Sequence, residues 1–422
     1  MRLMDRLRGF YLASVLLMFA QNAAAGFQYV FRALMARAVS VADYGLMDAS
    51  FSLMSLLALP VSTYAGMLSR RWAELHNAGR ETEVDDLWWA LVVVTGGFAG
   101  VVLLAGGLLA PVFGWWLKTP HMTVVWAVMI SSCLGMMLAL APPLAMARQW
   151  FGLLAVGSLG GAGLRVLVAW AGIQSGHALL VAMLATGLSA GVAMGLILMR
   201  VRRPVWRELP LRRLRSRWHE WVAPALSAVT AFVFCGCDLL VVRRFYEPQL
   251  AGEFAQVMTL ARIIYYFATP LAMVVFPKAA TSLLANPQGK ENRVVRRAMA
   301  LCLGSCLLMA AFLHALAPLA FRLLRGGSAA ENAVDAGHLR VAVWCLIPLA
   351  LCQLVTPALF ARRQERFLAE FTGLSLLLPL GLMIFRNNLT HAFLVEGAVG
   401  LLLLAFIGWR LWSVQKENSS RN

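Results

Sequence analysis

The side chains of this sequence most able to do chemistry are polar groups inside long apolar runs. Arg262 lies near the middle of one run, where an Arg at a membrane helix centre costs about 2.5–3.5 kcal/mol on insertion scales. At about 100° per helical residue, four polar neighbours share an arc of about 140° with Arg262; these are Gln256, Thr259, Tyr266 and Thr269. This face predicts either a cationic wall that binds an anion through paired hydrogen bonds, or a structural arginine satisfied by backbone carbonyls or Asp238.

Two further arginines lie inside apolar runs. Arg165 stands among glycines, which permit close helix packing, so a ligand role and a structural role both stay open. Arg32 is preceded in its run by three amide side chains, Gln21, Asn22 and Gln28. These amides predict that the first helix lines a cavity and that Arg32, Gln21 and Asn22 contact a ligand there.

Acidic groups in the apolar runs have two possible roles. Asp238 can pair with Arg262 or Arg32, or it can be the cation or proton site of a transporter coupled to an H⁺ or Na⁺ gradient. The remaining acidic side chains, placed nearer the outer boundary, are expected to be solvated or to cap helices: Asp48, Glu253 and Glu396.

Composition excludes a soluble fold. The chain has 422 residues, of which 60% are hydrophobic and 14% charged, and its mean hydropathy is +0.72. A soluble domain is closer to half apolar and a quarter charged. The apolar runs are long enough for helices that cross a bilayer, which needs about 20 residues. An all-α polytopic membrane protein is therefore expected.

The net charge of +17 is explained by basic cytoplasmic loops, and no nucleic-acid partner is expected. The seven cysteines lie in apolar runs without the polar Cys or His pairs of a zinc site, which predicts packing rather than metal binding. The sequence contains no phosphate loop, no Ser-His-Asp arrangement and no paired-histidine motif. We therefore expect no enzyme, no catalytic residue and no cofactor.

Twelve apolar segments are predicted to span the membrane. They cover residues 11–36, 44–68, 87–110, 122–147, 151–173, 177–199, 221–244, 252–276, 298–320, 339–361, 367–385 and 391–412. With both termini in the cytoplasm, the inner segments hold 26 of the 37 Arg and Lys residues and the outer ends hold nine. This bias favours that orientation, because cytoplasmic loops collect Arg and Lys.

The sequence divides into two similar halves. Residues 1–199 form a predicted N-terminal six-helix lobe, 200–220 a basic cytoplasmic linker and 221–422 a C-terminal six-helix lobe. Segment 37–45 aligns with 244–252 at an offset of 207, and 143–149 aligns with 357–363 at an offset of 214. Units of six spans keep the same orientation, so these repeats predict two parallel lobes around a central cavity.

Several short motifs then resemble a known family. They are Ala42-Asp-Tyr-Gly45, Cys237-Asp238-Leu-Leu-Val-Val242, Ala251-Gly-Glu-Phe-Ala-Gln256, Leu260-Ala-Arg262 and Phe276-Pro-Lys278. In order and spacing the chain resembles the polysaccharide flippases of the multidrug/oligosaccharidyl-lipid/polysaccharide exporter superfamily. The resemblance implies a two-lobed fold of twelve helices with a central cavity.

The resemblance also implies a function: translocation of undecaprenyl-pyrophosphate-linked oligosaccharide units across the bacterial inner membrane, by alternating access, for surface polysaccharide biosynthesis. The expected partners are this lipid-linked substrate, membrane lipids, and a polysaccharide polymerase with other synthesis proteins. Two alternatives stay open: a cation-coupled small-molecule or multidrug exporter, and a non-transporting scaffold of a polysaccharide synthesis complex.

The charge bias makes the topology testable. A reporter fused after Arg207, in the basic linker, is expected to be active only when it is a cytoplasmic reporter, because this linker is the longest basic segment. Activity of a periplasmic reporter at the same position would contradict both the orientation and the six-plus-six division.

Overall fold

The computed structural model describes residues 2–202, 219–265, 291–328, 331–360, 365–386 and 388–419. Within these ranges the chain forms α-helices and one π-helical turn. It divides into two compact units, Met1–Ala225 and Leu226–Asn422. The predicted linker 200–220 lies mostly outside the described residues.

The first unit contains eight helices among its described residues. They are α1 (Arg2–Ala38), α2 (Val41–Asn77), α3 (Glu81–Leu108), α4 (Ala110–Leu117), α5 (Met122–Leu138), α6 (Ala141–Ala147), α7 (Phe151–Gln174) and α8 (Ala178–Leu198). Helix α7 packs against α1 and α8, while α5 packs against α2, α3 and α8.

Glycines bring α7 and α8 into close contact. A Cβ on Gly157 would lie 2.9 Å from Cβ of Ala193, and one on Gly161 would overlap the carbonyl oxygen of Ser189. Small residues at a helix interface let two backbones approach closely in a membrane. The glycine-rich sequence around Arg165 therefore acts as a packing surface on the side of α7 that faces α8.

The second unit begins with α9 (His219–Phe232), whose first residues precede the unit boundary. It continues through the π-helical turn Val233–Cys237 into α10 (Asp238–Phe245). The other described helices are α11 (Pro248–Ala261), α12 (Glu291–Ala315), α13 (Ala317–Arg325), α14 (Ala333–Phe360), α15 (Glu365–Ser375), α16 (Leu377–Ile384) and α17 (Leu389–Ser419).

The same pairs of helices pack together in both units. We number the predicted spans one to six within each unit. In both units span one packs on span five, spans two and three pack on span four, and span five packs on span six. In the first unit these contacts are α1 with α7, α2 with α5, α3 with α5 and α7 with α8. In the second unit they are α10 with α16, α11 with α14, α12 with α14 and α16 with α17. This repeated pattern supports the duplication predicted from the sequence offsets.

Nine described helices are long and apolar enough to cross a membrane, or ten if the bent pair at residues 300–325 is one span. The first predicted span lies within α1. The eighth predicted span is described only as far as Tyr265. Several spans predicted as continuous are broken, because a proline that lacks the N–H donor starts a new helix. Pro142 is the second residue of α6, and Pro318 is the second residue of α13, which is bent by 73° from the preceding helix.

Candidate functional site

A polar seam in the first unit follows one face of α1. Gln21, Gln28 and Arg32 are separated by seven and four residues, which places them within about 40° of one another around the helix. Opposite them on α7 lie Ser158 and Arg165. Nε2 of Gln21 donates to Oγ of Ser158 at 3.2 Å, and Nη1 of Arg165 donates to Oε1 of Gln28 at 2.5 Å.

An ion pair joins α1 to α2. Nη1 of Arg32 donates to Oδ1 and Oδ2 of Asp48 at 2.6 Å and 2.7 Å. The Asp48 side chain is 2% exposed and that of Arg32 is 27% exposed. The expectation that Asp48 is solvated or caps a helix is wrong, since Oγ of Ser40 caps α2 by accepting from the backbone N–H of Asp43. Asp48 lies nearly two turns further in and neutralises Arg32.

Aromatic rings hold the guanidinium of Arg165. Its Cζ lies 4.1 Å from the ring centroid of Phe31 and 4.7 Å from that of Phe51. A guanidinium above an aromatic face is attracted by the ring quadrupole, and the attraction is strongest where water is excluded. Arg165 is buried, so the structure gives it a packing role between α1, α2 and α7.

We define the unit 1 seam as Gln21, Gln28, Arg32, Asp48, Ser158 and Arg165. Two arginines and one aspartate give it a formal charge of +1. Asn22 is exposed on α1, about 100° around the helix from Gln21. The seam therefore brings together Arg32, Arg165 and Gln21 of the predicted site, with Asn22 at its side.

A second ion pair lies in the other unit. Nη2 of Arg262 donates to Oδ1 and Oδ2 of Asp238 at 2.7 Å and 2.6 Å. The Asp238 side chain is 2% exposed and that of Arg262 is 12% exposed. Asp238 is the first residue of α10, directly after the π-helical turn Val233–Cys237. Of the two pairings left open by the sequence, Asp238 makes the one with Arg262.

Glu396 of α17 lies beside Asp238 and is 1% exposed. The expectation that Glu396 is solvated or caps a helix is wrong. Glycines next to it allow α17 to pack closely against α14, and this packing buries Glu396. A Cβ on Gly397 would lie 3.2 Å from Cβ of Cys345, and one on Gly400 would lie 2.8 Å from Cβ of Pro348.

We define the unit 2 cluster as Asp238, Arg262 and Glu396, two carboxyl groups against one guanidinium. Among the described residues, the hydrogen-bonding contact of the Glu396 carboxyl group is with the carboxyl group of Asp238, which can donate only when one of the two acids is protonated. A buried carboxylate without donors is costly. The cluster therefore has the composition of a site that takes up a proton or a small cation. No group of three or more His, Cys, Asp or Glu side chains in the described part of the chain is placed to hold a metal.

Gln256 lies apart from this cluster. It is 1% exposed, and its Oε1 accepts from Nη1 of Arg325 at 3.3 Å. Arg325 also pairs with Asp335 at 2.6 Å. The predicted arc around Arg262 assumed one continuous helix, but α11 ends at Ala261 and Arg262 is its C-cap. Tyr266 lies outside the described residues, so its predicted contact stays a prediction.

The sequence missed Asp48 and Glu396 as partners at membrane depth. Glu253, the third acid expected to be solvated, is half-buried and lies near Gln249. A signal was present for Glu396, which is flanked by Phe393, Leu394 and Val395 on one side and by Gly397 on the other. An acid bounded on both sides by membrane-type residues marks a functional position by default.

Comparison with known proteins gives the fold. No protein-family model matches the sequence, and no curated protein is significantly similar to it in sequence. Among solved structures, an inward-facing multidrug resistance MATE family transporter of the MOP superfamily is similar with a TM-score of 0.72 at 11% identity, over 93% of this chain and 94% of the other. The lipid II flippase MurJ, in an inward closed conformation, is similar with a TM-score of 0.71 at 14% identity, over 96% of this chain and 87% of the other.

A MOP superfamily transporter from Pyrococcus furiosus is similar with a TM-score of 0.59 at 13% identity, over 96% of each chain. These similarities confirm the predicted fold class, an all-α polytopic membrane protein with two helical lobes. The chain has the fold of MOP superfamily transporters.

The Arg32–Asp48 pair can be tested by its effect on folding. Arg32→Ala leaves Asp48 buried without its counter-ion and is expected to destabilise the protein by a few kcal/mol. The loss is below the 3–5 kcal/mol of a fully buried pair, since 27% of the Arg32 side chain is exposed. The double variant Arg32→Gln with Asp48→Asn removes both charges and is expected to recover most of the loss, measured as thermal unfolding in detergent.

The exposed Arg37 of the same helix provides the control, and Arg37→Gln is expected to melt like the wild type. Equal melting of Arg32→Ala and the wild type would show that the pair contributes nothing to stability.

Proposed function

We propose that this protein is a flippase that translocates undecaprenyl-pyrophosphate-linked oligosaccharide units across the bacterial inner membrane by alternating access, for surface polysaccharide biosynthesis. The observation that carries the proposal is the excess of positive charge in the unit 1 seam, which contains the two arginines Arg32 and Arg165 and the acid Asp48. The MOP fold supports a transporter, and this excess favours an anionic substrate.

A pyrophosphate group is the substrate part that most needs protein in the bilayer. Its charges are costly in hydrocarbon, whereas the apolar prenyl tail is soluble in the bilayer interior. A guanidinium offers several N–H donors in a fixed fork at constant charge, which suits phosphate oxygens. Arg32 is the seam's partly exposed cation, so we assign it the direct contact with pyrophosphate. We assign the sugar hydroxyls to Gln21 and Asn22, which are exposed on the same helix.

The unit 2 cluster supplies the coupling in this proposal. Glu396 and Asp238 together carry one more acid than Arg262 neutralises, so the cluster takes up H⁺ or Na⁺. Proton or cation uptake weakens the hold of Asp238 on Arg262, and the guanidinium then becomes available to an anion. Arg262 thus has a second role, as the charge that responds to the ion gradient.

The alternative function is a cation-coupled small-molecule or multidrug exporter. The acid-rich unit 2 cluster favours it, because a cationic compound would be attracted to two carboxyl groups. One of the similar structures is named as a multidrug resistance transporter, and another is named as a lipid II flippase. The two functions differ in the sign of the substrate charge. A non-transporting scaffold of a polysaccharide synthesis complex requires no substrate movement at all.

Translocation in proteoliposomes tests the substrate. With undecaprenyl-pyrophosphate-linked oligosaccharide in one leaflet, the wild type is expected to move it to the other. Arg32→Gln with Asp48→Asn is expected to lose at least about tenfold in rate, since one charge-assisted phosphate contact is worth about 1.5–3 kcal/mol. Arg32→Lys with Asp48 intact keeps the charge but not the fork, and is expected to retain part of the rate.

Arg37→Gln is the matched control, a charge removed from the same helix outside the seam. Efflux of a cationic dye without movement of the lipid would establish the exporter instead. A wild-type rate of lipid translocation by the double variant would refute the role of Arg32. If the protein moves neither the lipid nor the dye, the result supports the non-transporting scaffold.

The coupling is tested separately at Glu396. Glu396→Gln is expected to abolish transport driven by an imposed H⁺ or Na⁺ gradient while substrate exchange at equilibrium continues, because the variant cannot change its charge. Glu253→Gln, at the half-buried acid beside Gln249, is the matched control and should keep gradient-driven transport. Gradient-driven transport by Glu396→Gln at the wild-type rate would disprove the coupling role.

A further inference from the structure

A groove lies between the first turns of α7 and the last turns of α8. Its volume is about 630 Å³, within the range of about 300–1,000 Å³ that is usual for small-molecule sites. The ends of the two helices that border it adjoin Arg148 and Arg200, which belong to segments predicted to be cytoplasmic. The groove therefore opens at the predicted inner surface of the membrane.

The two ends of the groove differ in chemistry. One end is polar and carries Gln149, Trp150 and Arg200. Arg200 is exposed and makes no ion pair within the described part of the chain. The other end is apolar and comes from both helices, with Leu153, Val156, Leu196 and Met199 as its walls. A groove with a cationic mouth and an apolar floor fits an amphiphile that has an anionic head.

The wall of this groove at Val156 is on the opposite face of α7 from the unit 1 seam. Val156 points about 160° away from Ser158, while Arg165 lies within about 20° of Ser158. Val156 is 61% exposed, and Leu167, three turns further along the same face, is 65% exposed. The face of α7 that carries Val156 is therefore its lipid-facing side.

Close helix packing limits the depth of the groove. The next residue, Gly157, brings α7 within contact of Ala193 on α8, where an added Cβ would lie 2.9 Å from Cβ of Ala193. A bound chain can fill the space beside Val156 and must then leave the groove into the bilayer. The groove thus fits the head and the first part of a lipid chain.

We propose that the groove binds an anionic phospholipid of the inner leaflet, with its phosphate at Arg200 and Trp150 and one acyl chain against Val156 and Leu196. Charge complementarity supports this occupant: Arg200 begins a segment that has eight arginines between residues 200 and 217. Basic pockets between membrane helices on the cytoplasmic side are suited to anionic lipid head groups. The N-terminus of α7, which has no side-chain cap, adds to the positive potential.

The bound lipid is distinct from the transported one in this proposal, because its head lies at the first turn of α7, about 20 Å along the helix from Arg165. Its acyl chain contacts Val156, which points away from the unit 1 seam. The site goes beyond the proposed function. The lipid site does not depend on whether the transported substrate is a lipid-linked oligosaccharide or a small molecule. An experiment that disproves the lipid site therefore leaves the flippase proposal unaffected, and the reverse is also true.

The test uses the full-length protein in nanodiscs with photo-crosslinkable phosphatidylglycerol in a phosphatidylcholine background. The wild type is expected to crosslink the anionic probe at α7 or α8 next to the groove. Arg200→Ala is expected to reduce this labelling about fivefold, as one basic side chain near an anionic surface contributes about that factor. Val156→Trp, which fills the groove, is expected to reduce it similarly.

Two matched variants separate the groove from the general surface. Arg202→Ala removes a charge at the same end of α8, where the backbone of residue 202 is held by Asp85 and Trp89. Leu167→Trp adds the same bulk on the same face of α7, three turns away. Both are expected to label like the wild type. Equal labelling of Arg200→Ala and Arg202→Ala, equal labelling by a phosphatidylcholine probe, or selective labelling by undecaprenyl pyrophosphate would each overturn the proposal.

Discussion

The cost of a charge in hydrocarbon governs how each unit of this protein is held together. Each unit meets this cost by joining its first two membrane helices through an arginine–aspartate pair. In the first unit the arginine is on the first helix, Arg32, and its partner Asp48 is on the second. In the second unit the order is reversed, with Asp238 first and Arg262 second. The third charge of each group then sets its sign, positive from Arg165 and negative from Glu396.

Hydropathy alone was sufficient to predict the fold class, because the bilayer imposes a minimum length on every spanning helix. It could not predict where helices break. The 122–147 run is apolar throughout, but its backbone divides shortly before Pro142 into α5 and α6. The 298–320 run bends by 73° before Pro318. Proline in a membrane helix can kink, break or be accommodated, and only neighbouring helices decide which of these occurs.

The sequence identified single charged residues of the candidate site, but not all of the side chains with which they pair. Apolar context was enough to identify Arg32, Arg165, Arg262 and Asp238 as charges at depth. The position of an acid near a helix end was a poor predictor of its burial. Asp48 and Glu396 are both buried, because neighbouring helices pack over them. The contact between Gln256 and a substrate stays a prediction. Gln256 lies about 120° around α11 from Arg262, and its side chain accepts a hydrogen bond from Arg325.

The π-helical turn Val233–Cys237 also bears on the register of the helix that follows it. A π turn holds one residue more than the α turn it replaces, whereas α1 is α-helical from Arg2 to Ala38. One extra residue changes by about 100° the angle between the side chains before the turn and those after it. Asp238 is the first residue after the turn, and its carboxyl group pairs with Arg262. The direction of the Asp238 side chain therefore depends on this one turn, and a deletion of one residue within Val233–Cys237 would rotate Asp238 relative to the first part of its own span.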